Sequence, residues 1–231
     1  MKNILIFGAS GCISQDLIKE IKKNYHDYNI FGTTSNLSKV SNDLIYYNIE
    51  EIQSLQNLKS LPPLDIVIWG HGYNINDKIG ELDINKYLNS MNVNVNYISI
   101  SIDFMIKNNL LNSNARLCII SSIWQHYVRS GKFSYSVSKS AISGLVKSIS
   151  SDLQDKNILI NAILPGPIDN KMTRKTLTLE QIERIKLNSG FNRLVDSMDI
   201  YYLIDYLCFK NNSTTGQSFI VDLGLTVKRD Y

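Results

Sequence analysis

Apolar residues along this chain gather into short runs, each followed by a turn and then a longer segment whose apolar positions recur at helical spacing. The runs Ile4–Phe7, Asn29–Thr33, Leu44–Tyr47, Asp65–Trp69, Arg116–Ile120, Ile158–Ile163 and Ser218–Val221 predict seven strands. The spacing between them predicts helices near 13–24, 50–58, 83–107, 134–154 and 197–209, with another inside 176–188. Parallel neighbours need a crossover long enough to carry a helix, so the alternation predicts an α/β domain, a doubly wound parallel sheet with helices on both faces. No internal repeat and no Gly/Ser-rich or Pro-rich linker interrupts the 231 residues, and Pro62, Pro63, Pro165 and Pro167 sit at turns. A single domain spanning residues 1–231 is expected.

Composition removes function classes without choosing one. A hydrophobic fraction of 44% and a charged fraction of 19% suit a folded globular chain. The net charge is only +3 and the lysines are scattered, so there is no electrostatic footprint for nucleic acid. Cys12, Cys118 and Cys208 are far apart and odd in number, which predicts neither a disulfide framework nor a CxxC metal site and fits a reducing cytoplasm. His26, His71 and His126 are too dispersed for a ligand pair, so no metal is expected. No apolar run reaches the roughly 18 to 20 residues of a membrane span, and Ile4–Phe7 is shorter than a signal-peptide core of about 7 to 15. No membrane partner and a cytoplasmic location follow as expectations.

Candidate chemistry begins where the first strand runs into "GASGCIS", Gly8 to Ser14, with a helix opening directly behind it. Gly8 permits a tight turn, and Ser10, Gly11, Cys12 and Ile13 let backbone approach a pyrophosphate at the positive end of that helix. A Gly-x-x-Gly pair alone occurs in many turns; its place after the first strand gives it meaning and makes the domain Rossmann-type. Ser14 stands where a third glycine would let helix pack on strand, so slight strain is expected. At the end of the second strand, where a carboxylate usually bonds the ribose hydroxyls of NAD, the chain reads "GTTSN". Thr33, Thr34 and Ser35 offer hydroxyl and backbone donors and nothing repels a 2'-phosphate. This favours NADP(H), with NAD(H) the alternative; Lys39 is the nearest cation.

A second signal is "YSVSK", which puts Tyr135 and Lys139 on one helix face. A phenol is a poor acid near pH 7, but a neighbouring ammonium stabilises phenolate and lowers its pKa by about 1 to 3 units. The same spacing recurs at Tyr206 and Lys210, so spacing alone decides nothing. Context separates the two copies: the strand "RLCIISS" ends at Ser122, thirteen residues before Tyr135, and nothing comparable precedes Tyr206.

With these motifs the chain resembles the short-chain dehydrogenase/reductase (SDR) family, and within it the 3-oxoacyl-carrier-protein reductases. "GASGCIS" is similar to the family's Gly-rich loop, "ISSIWQHYVRSGKFSYSVSK" to its Ser and Tyr-x-x-x-Lys segment, "NAILPGPIDNKM" to its proline-glycine loop, and "TGQSFIVDLG" to its C-terminal strand. The resemblance implies that Tyr135 is the general acid in carbonyl reduction. Lys139 would hold the nicotinamide ribose and tune Tyr135, and Ser122 would bond the substrate oxygen. Asn94 in "VNVN" matches a helix asparagine that supports a proton-relay water, with Asn92 a less well-phased alternative. It also implies cofactor contacts from Asn48 and Ile49, from Trp69, Gly70 and His71, and from Pro165, Gly166 and Ile168.

Several positions depart from the family pattern. Trp69, Gly70, His71 and Gly72 stand for Asn-Asn-Ala-Gly, Asn48 for an aspartate near adenine, Asn170 for a threonine and Leu223 for a glycine. His71 reads either as a base or as a loop residue beside the cofactor. The expected partner is a small carbonyl/alcohol substrate: a sugar, an acyl thioester or another small ketone. Trp124, Gln125, His126, Tyr127 and Arg129 would border its pocket, and residues 168–191 would form a lid. Arg129 reads as a receptor for an anionic substrate or as a solvated loop cation. The long helices resemble the faces through which family members form homodimers and homotetramers. Two other functions compete. A non-catalytic dinucleotide-binding regulator would explain Ser14 and Trp69 but not the intact Ser122/Tyr135/Lys139 set. A sugar-nucleotide epimerase or dehydratase generally carries a larger C-terminal domain than the roughly ninety residues after Lys139.

Overall fold

The computed structural model describes residues 1–170, 173–174 and 177–227. Seven parallel strands form one sheet in the order β3-β2-β1-β4-β5-β6-β7. They are β1 (Lys2–Phe7), β2 (Tyr28–Thr34), β3 (Leu44–Tyr46), β4 (Leu64–Trp69), β5 (Leu111–Ile120), β6 (Leu159–Pro165) and β7 (Ser218–Val221). The chain starts at the centre, winds out to β3, and crosses back to β4 before winding out to β7. Strand order therefore reverses between β1 and β4, and a crevice opens beyond their carboxyl ends.

Alternate residues of each strand face opposite helix layers. Leu5, Phe7, Val67, Trp69, Leu117 and Ile119 pack towards α3 (Tyr97–Lys107) and α4 (Phe133–Asp152), with α2 (Ile84–Met91) lying against α4. Ile4, Ile6, Ile66, Ile68, Cys118 and Ile120 pack towards α1 (Cys12–Asn24) and α6 (Ser197–Ile204). A further helix, α5 (Leu179–Ser189), starts with a reciprocal cap between Thr178 and Gln181. No helix among the described residues is long and apolar enough to cross a membrane.

The expected elements are present, and their limits differ for local reasons. β5 begins at Leu111, five residues earlier than its apolar run, because Leu111 pairs with Leu64 ahead of a register shift and Asn112 Nδ2 donates to Asp65 Oδ1 at 3.0 Å. Tyr47 leaves β3 and is fully buried against Phe7 and Tyr97. The segment expected as a helix over 50–58 is a 3-10 helix, Ile52–Ser60. The long helix expected over 83–107 contains a π-helical stretch, Asn92–Asn96, between α2 and α3; a second, Asp205–Lys210, follows α6. Such stretches re-aim side chains, and Asn94 lies in the first.

Candidate active site

The phosphate-type loop is shaped by two close approaches. Gly8 has φ +73, and a Cβ there would lie 2.8 Å from that of His71. Gly11 caps α1 with no side-chain cap, and its own N–H closes a turn on the Gly8 carbonyl at 3.0 Å. The first-turn amides at Cys12, Ile13 and Ser14 lie at the positive end of α1, and Ser10, Gly11 and Cys12 are exposed there. Ser14 is fully buried, and a Cβ on Gly70 would meet its Oγ at 2.4 Å. Gly70 thus makes the room that glycine at position 14 would have made, and the chain keeps tight packing at the cost of a buried hydroxyl with no partner.

On the opposite side of the crevice several of the expected contact residues have their side chains engaged within the protein. Thr33 and Thr34 are buried, and their hydroxyls accept from Gly8 N–H at 3.2 Å and Asn36 N–H at 3.1 Å. As neighbours on one strand they point to opposite faces of the sheet and both are buried, leaving Ser35 as the exposed hydroxyl of the three. Asn48 Oδ1 is engaged by Glu50 N–H at 3.2 Å, which fixes the turn after β3 in which half-buried Ile49 also lies. Trp69 is fully buried: its indole stacks on Phe7 at 5.4 Å and donates to Ser101 Oγ at 3.0 Å, so it cannot offer a side chain to the crevice.

His71 lies beneath the crevice. Its Nε2 is 3.0 Å from the Val93 carbonyl, which can only accept, so Nε2 carries the proton and Nδ1 is left buried without a partner. Burial, reinforced by Lys139, pulls its pKa down to about 3, which keeps the ring neutral and argues against the base reading. Across β6, Gly166 passes close to Asp222, where a Cβ would lie 3.0 Å away, and Pro165 and Ile168 flank it. Ile168 bridges to Val195. Arg174 pairs with Asp169, and Asn170 Oδ1 accepts from Thr173 N–H; of the lid segment, Lys171, Met172, Lys175 and Thr176 lie outside the described residues. Leu223, standing for a glycine, takes φ +56 while packing on the core.

Helix α4 brings the expected catalytic side chains together. Tyr135, on its first turn, lies beside Ser122, two residues past the end of β5, whose Oγ accepts from Trp124 N–H at 3.4 Å. Burial pushes the phenol up to about 12, against the lowering effect of the Ser122 hydroxyl, so it is protonated at neutral pH. One turn on, Lys139 is 3% exposed, with Nζ 5.7 Å from the Tyr135 ring centre and a pKa pulled down to about 8 by burial. Asn94 is buried and saturated: its Nδ2 donates to the Tyr73 carbonyl and to Ser138 Oγ, both at 2.9 Å, and its Oδ1 accepts from Tyr73 N–H at 2.9 Å. It braces the loop after β4 against α4. Asn92 instead bonds Asn96 on the exposed face.

Sequence reasoning missed how that loop is held. Asp77 accepts from Ser134 N–H at 2.9 Å and from the Ser134 hydroxyl, capping the positive end of α4. Lys132, one turn before Tyr135, is 6% exposed; its Nζ donates to Asn74 Oδ1 at 2.6 Å and lies 5.6 Å from the Tyr135 ring centre. Its i, i+3 spacing to Tyr135 was the available signal. Exposed Arg129 lies 5.6 Å over the ring of half-buried Trp124. Gly72 faces both Asn94 Oδ1 and Lys139 Nζ, each 3.6 Å from where its Cβ would be, leaving an open cradle between loop and helix. The exposed loop amides, this cradle and a buried ammonium without an ion-pair partner among the described residues suit a dinucleotide running from Gly8 to Lys139.

Known proteins bear on this arrangement. Residues 50–226 match the family model described as enoyl-(acyl carrier protein) reductase. The 3-oxoacyl-[acyl-carrier-protein] reductase FabG of Buchnera aphidicola subsp. Acyrthosiphon pisum is 24% identical over 97% of this chain and 88% of its own length. The glucose 1-dehydrogenase of Gluconobacter oxydans is 25% identical over 76% of this chain and 67% of its own. A short chain dehydrogenase family protein from Francisella tularensis has the same fold, with TM-score 0.88 at 21% identity over 99% of this chain and all of its own. ElxO with NADP bound has TM-score 0.84 at 22% identity, covering 98% of this chain and 99% of its own. With most of its length matched by the family model and relatives such as FabG aligned from end to end, this chain belongs to the short-chain dehydrogenase/reductase family of oxidoreductases.

Proposed function

We propose that this chain catalyses reversible hydride transfer between NADP(H) and a small carbonyl/alcohol pair, with Tyr135 as the proton donor in reduction. The observation that carries the reading is that Tyr135 lies beside Ser122, with buried Lys139 one helical turn away and its Nζ 5.7 Å from the Tyr135 ring centre, at the carboxyl edge of the sheet. A bound NADPH would supply the hydride. Ser122 orients the substrate oxygen towards the Tyr135 hydroxyl, and Tyr135 gives up its proton as charge develops on that oxygen. Lys139, largely protonated at neutral pH, holds the ribose hydroxyls and stabilises the phenolate. Asn94 keeps the loop and α4 in register for this step.

NADP(H) is favoured over NAD(H) because no carboxylate follows β2: exposed Ser35, Asn36 and Ser38, with Lys39, face the place of a 2'-phosphate. That ElxO is a relative in fold with NADP bound supports the same choice. Three free cysteines fit a cytoplasmic enzyme. Exposed Ile84 and Leu88 on α2 fit a face shared between copies in a homodimer or homotetramer. A fluorescence titration with NADPH and NADH tests the reading. NADPH should bind more tightly; tighter NADH would overturn the 2'-phosphate assignment, and no binding at millimolar nucleotide would overturn the catalytic reading.

A further inference from the structure

Lys132 is a buried cation with no carboxylate in ion-pair contact among the described residues. The loop from Tyr73 to Asp77 runs along the start of α4, with Asp77 N–H donating to the Gly131 carbonyl and Phe133 N–H to the Asp77 carbonyl, both at 3.3 Å. This closes the lysine in. Its acceptors are neutral, Asn74 Oδ1 at 2.6 Å and the Ile75 carbonyl at 3.4 Å, and it forms no ion pair among the described residues. The nearest carboxylate, Asp77, is occupied by Ser134. Arg129 repels Lys132, and the other two titratable groups towards the crevice supply no anion, Lys139 being an ammonium and His71 neutral. Burial, then Arg129, pull Lys132 down to about 8 against the attraction of Asp77. A buried charge normally has a partner, because desolvation is otherwise uncompensated. What faces this one is the ring of Tyr135, with Lys139 at almost the same distance from it.

We propose that Lys132 is a positioning residue for proton transfer: its ammonium, with that of Lys139, stabilises the phenolate formed when Tyr135 protonates the substrate. The proposal rests on the reading of Tyr135 as proton donor. In that step the Tyr135 O–H bond breaks and the O–H bond of the product alcohol forms. The electron pair of the broken bond stays on the phenol oxygen, and the nicotinamide hydride reduces the carbonyl carbon. The anion that Lys132 gains beside it is one that exists only during turnover. An interaction made mainly with that developing charge raises kcat without tightening nucleotide binding.

A clamp on the 73–77 loop is the competing role, and Asn74→Asp separates the two. It keeps the hydrogen bond to Lys132, now to a carboxylate, and so preserves the clamp while neutralising the ammonium. The test compares full-length wild type, Lys132→Gln, Lys132→Arg, Asn74→Asp and Tyr135→Phe, using NADPH and the carbonyl compound that the wild type reduces fastest. An opposite charge at this range shifts a pKa by about 1 to 3 units, so losing it should slow kcat about tenfold. Lys132→Gln and Asn74→Asp should both show that loss, with a larger solvent deuterium isotope effect and unchanged NADPH affinity, while Lys132→Arg stays near wild type. Wild-type kcat and isotope effect in Asn74→Asp, with Tyr135→Phe inactive, would overturn the role of Lys132 alone. A Tyr135→Phe chain as active as wild type, or a wild type that reduces no carbonyl, would overturn the underlying reading and this one with it.

Discussion

Ser14 and Gly70 are packed so closely that neither can be changed alone without consequence. A methyl group on Gly70 would lie 2.4 Å from Ser14 Oγ, so Gly70→Ala should cost about 1 to 3 kcal/mol of stability. Adding Ser14→Gly should recover most of that loss, since it clears the contact and removes a buried hydroxyl without a partner. Thermal unfolding of the two single variants and the double variant checks this coupling; additive effects would refute it. The closeness of Tyr135 and Lys139 was legible in the sequence from helical spacing, and that of Ser122 from the end of a predicted strand, whereas Asn94 came only from the family resemblance. The burial of the Thr33, Thr34 and Trp69 side chains was not legible, because no local pattern says what a strand-end side chain packs against. Lys132 gave little warning, since a loop lysine beside a helix is usually solvated.

Among the elements, α4 carries the most chemistry and depends on a carboxylate from a distant loop. Asp77 accepts two hydrogen bonds from Ser134 at the positive end of the helix, where a negative charge is favourable. Asp77→Ala should destabilise the protein by about 1 to 2 kcal/mol in urea unfolding and lower turnover, because Tyr135 sits on the same turn. Unchanged unfolding would show that the helix start is held by other contacts. All the predicted strands and helices are present, because periodicity reports burial and burial is what these elements share. Their ends were less legible. The polar start of β5 is held by pairing with β4, and the π-helical stretches arise from packing around Asn94 and the end of α6, which no local pattern encodes.

For the whole molecule, the buried lysines have a cost that depends on pH. Lys139 titrates at about 8 in the folded chain against 10.5 ordinarily, and Lys132 shifts in the same direction. Between those values the unfolded chain binds a proton that the folded chain has shed, so stability rises with pH, by up to about 1.4 kcal/mol per unit for each group. The penalty is fully present below about pH 8 and gone above about 10.5. Relative to Lys139→Met, wild type should therefore gain stability in urea unfolding as pH rises through that window; parallel profiles would contradict the assigned burial. Light scattering should find a homodimer or homotetramer, and a monomer alone would refute the role given to Ile84 and Leu88.

The most direct test of the central claim is carbonyl-dependent oxidation of NADPH by wild type and Tyr135→Phe, with nucleotide affinity measured on the same samples. The account predicts turnover lower by roughly a hundredfold or more in Tyr135→Phe, with NADPH affinity nearly unchanged. Equal turnover in the two proteins would contradict it, because the proton would then come from a group other than Tyr135.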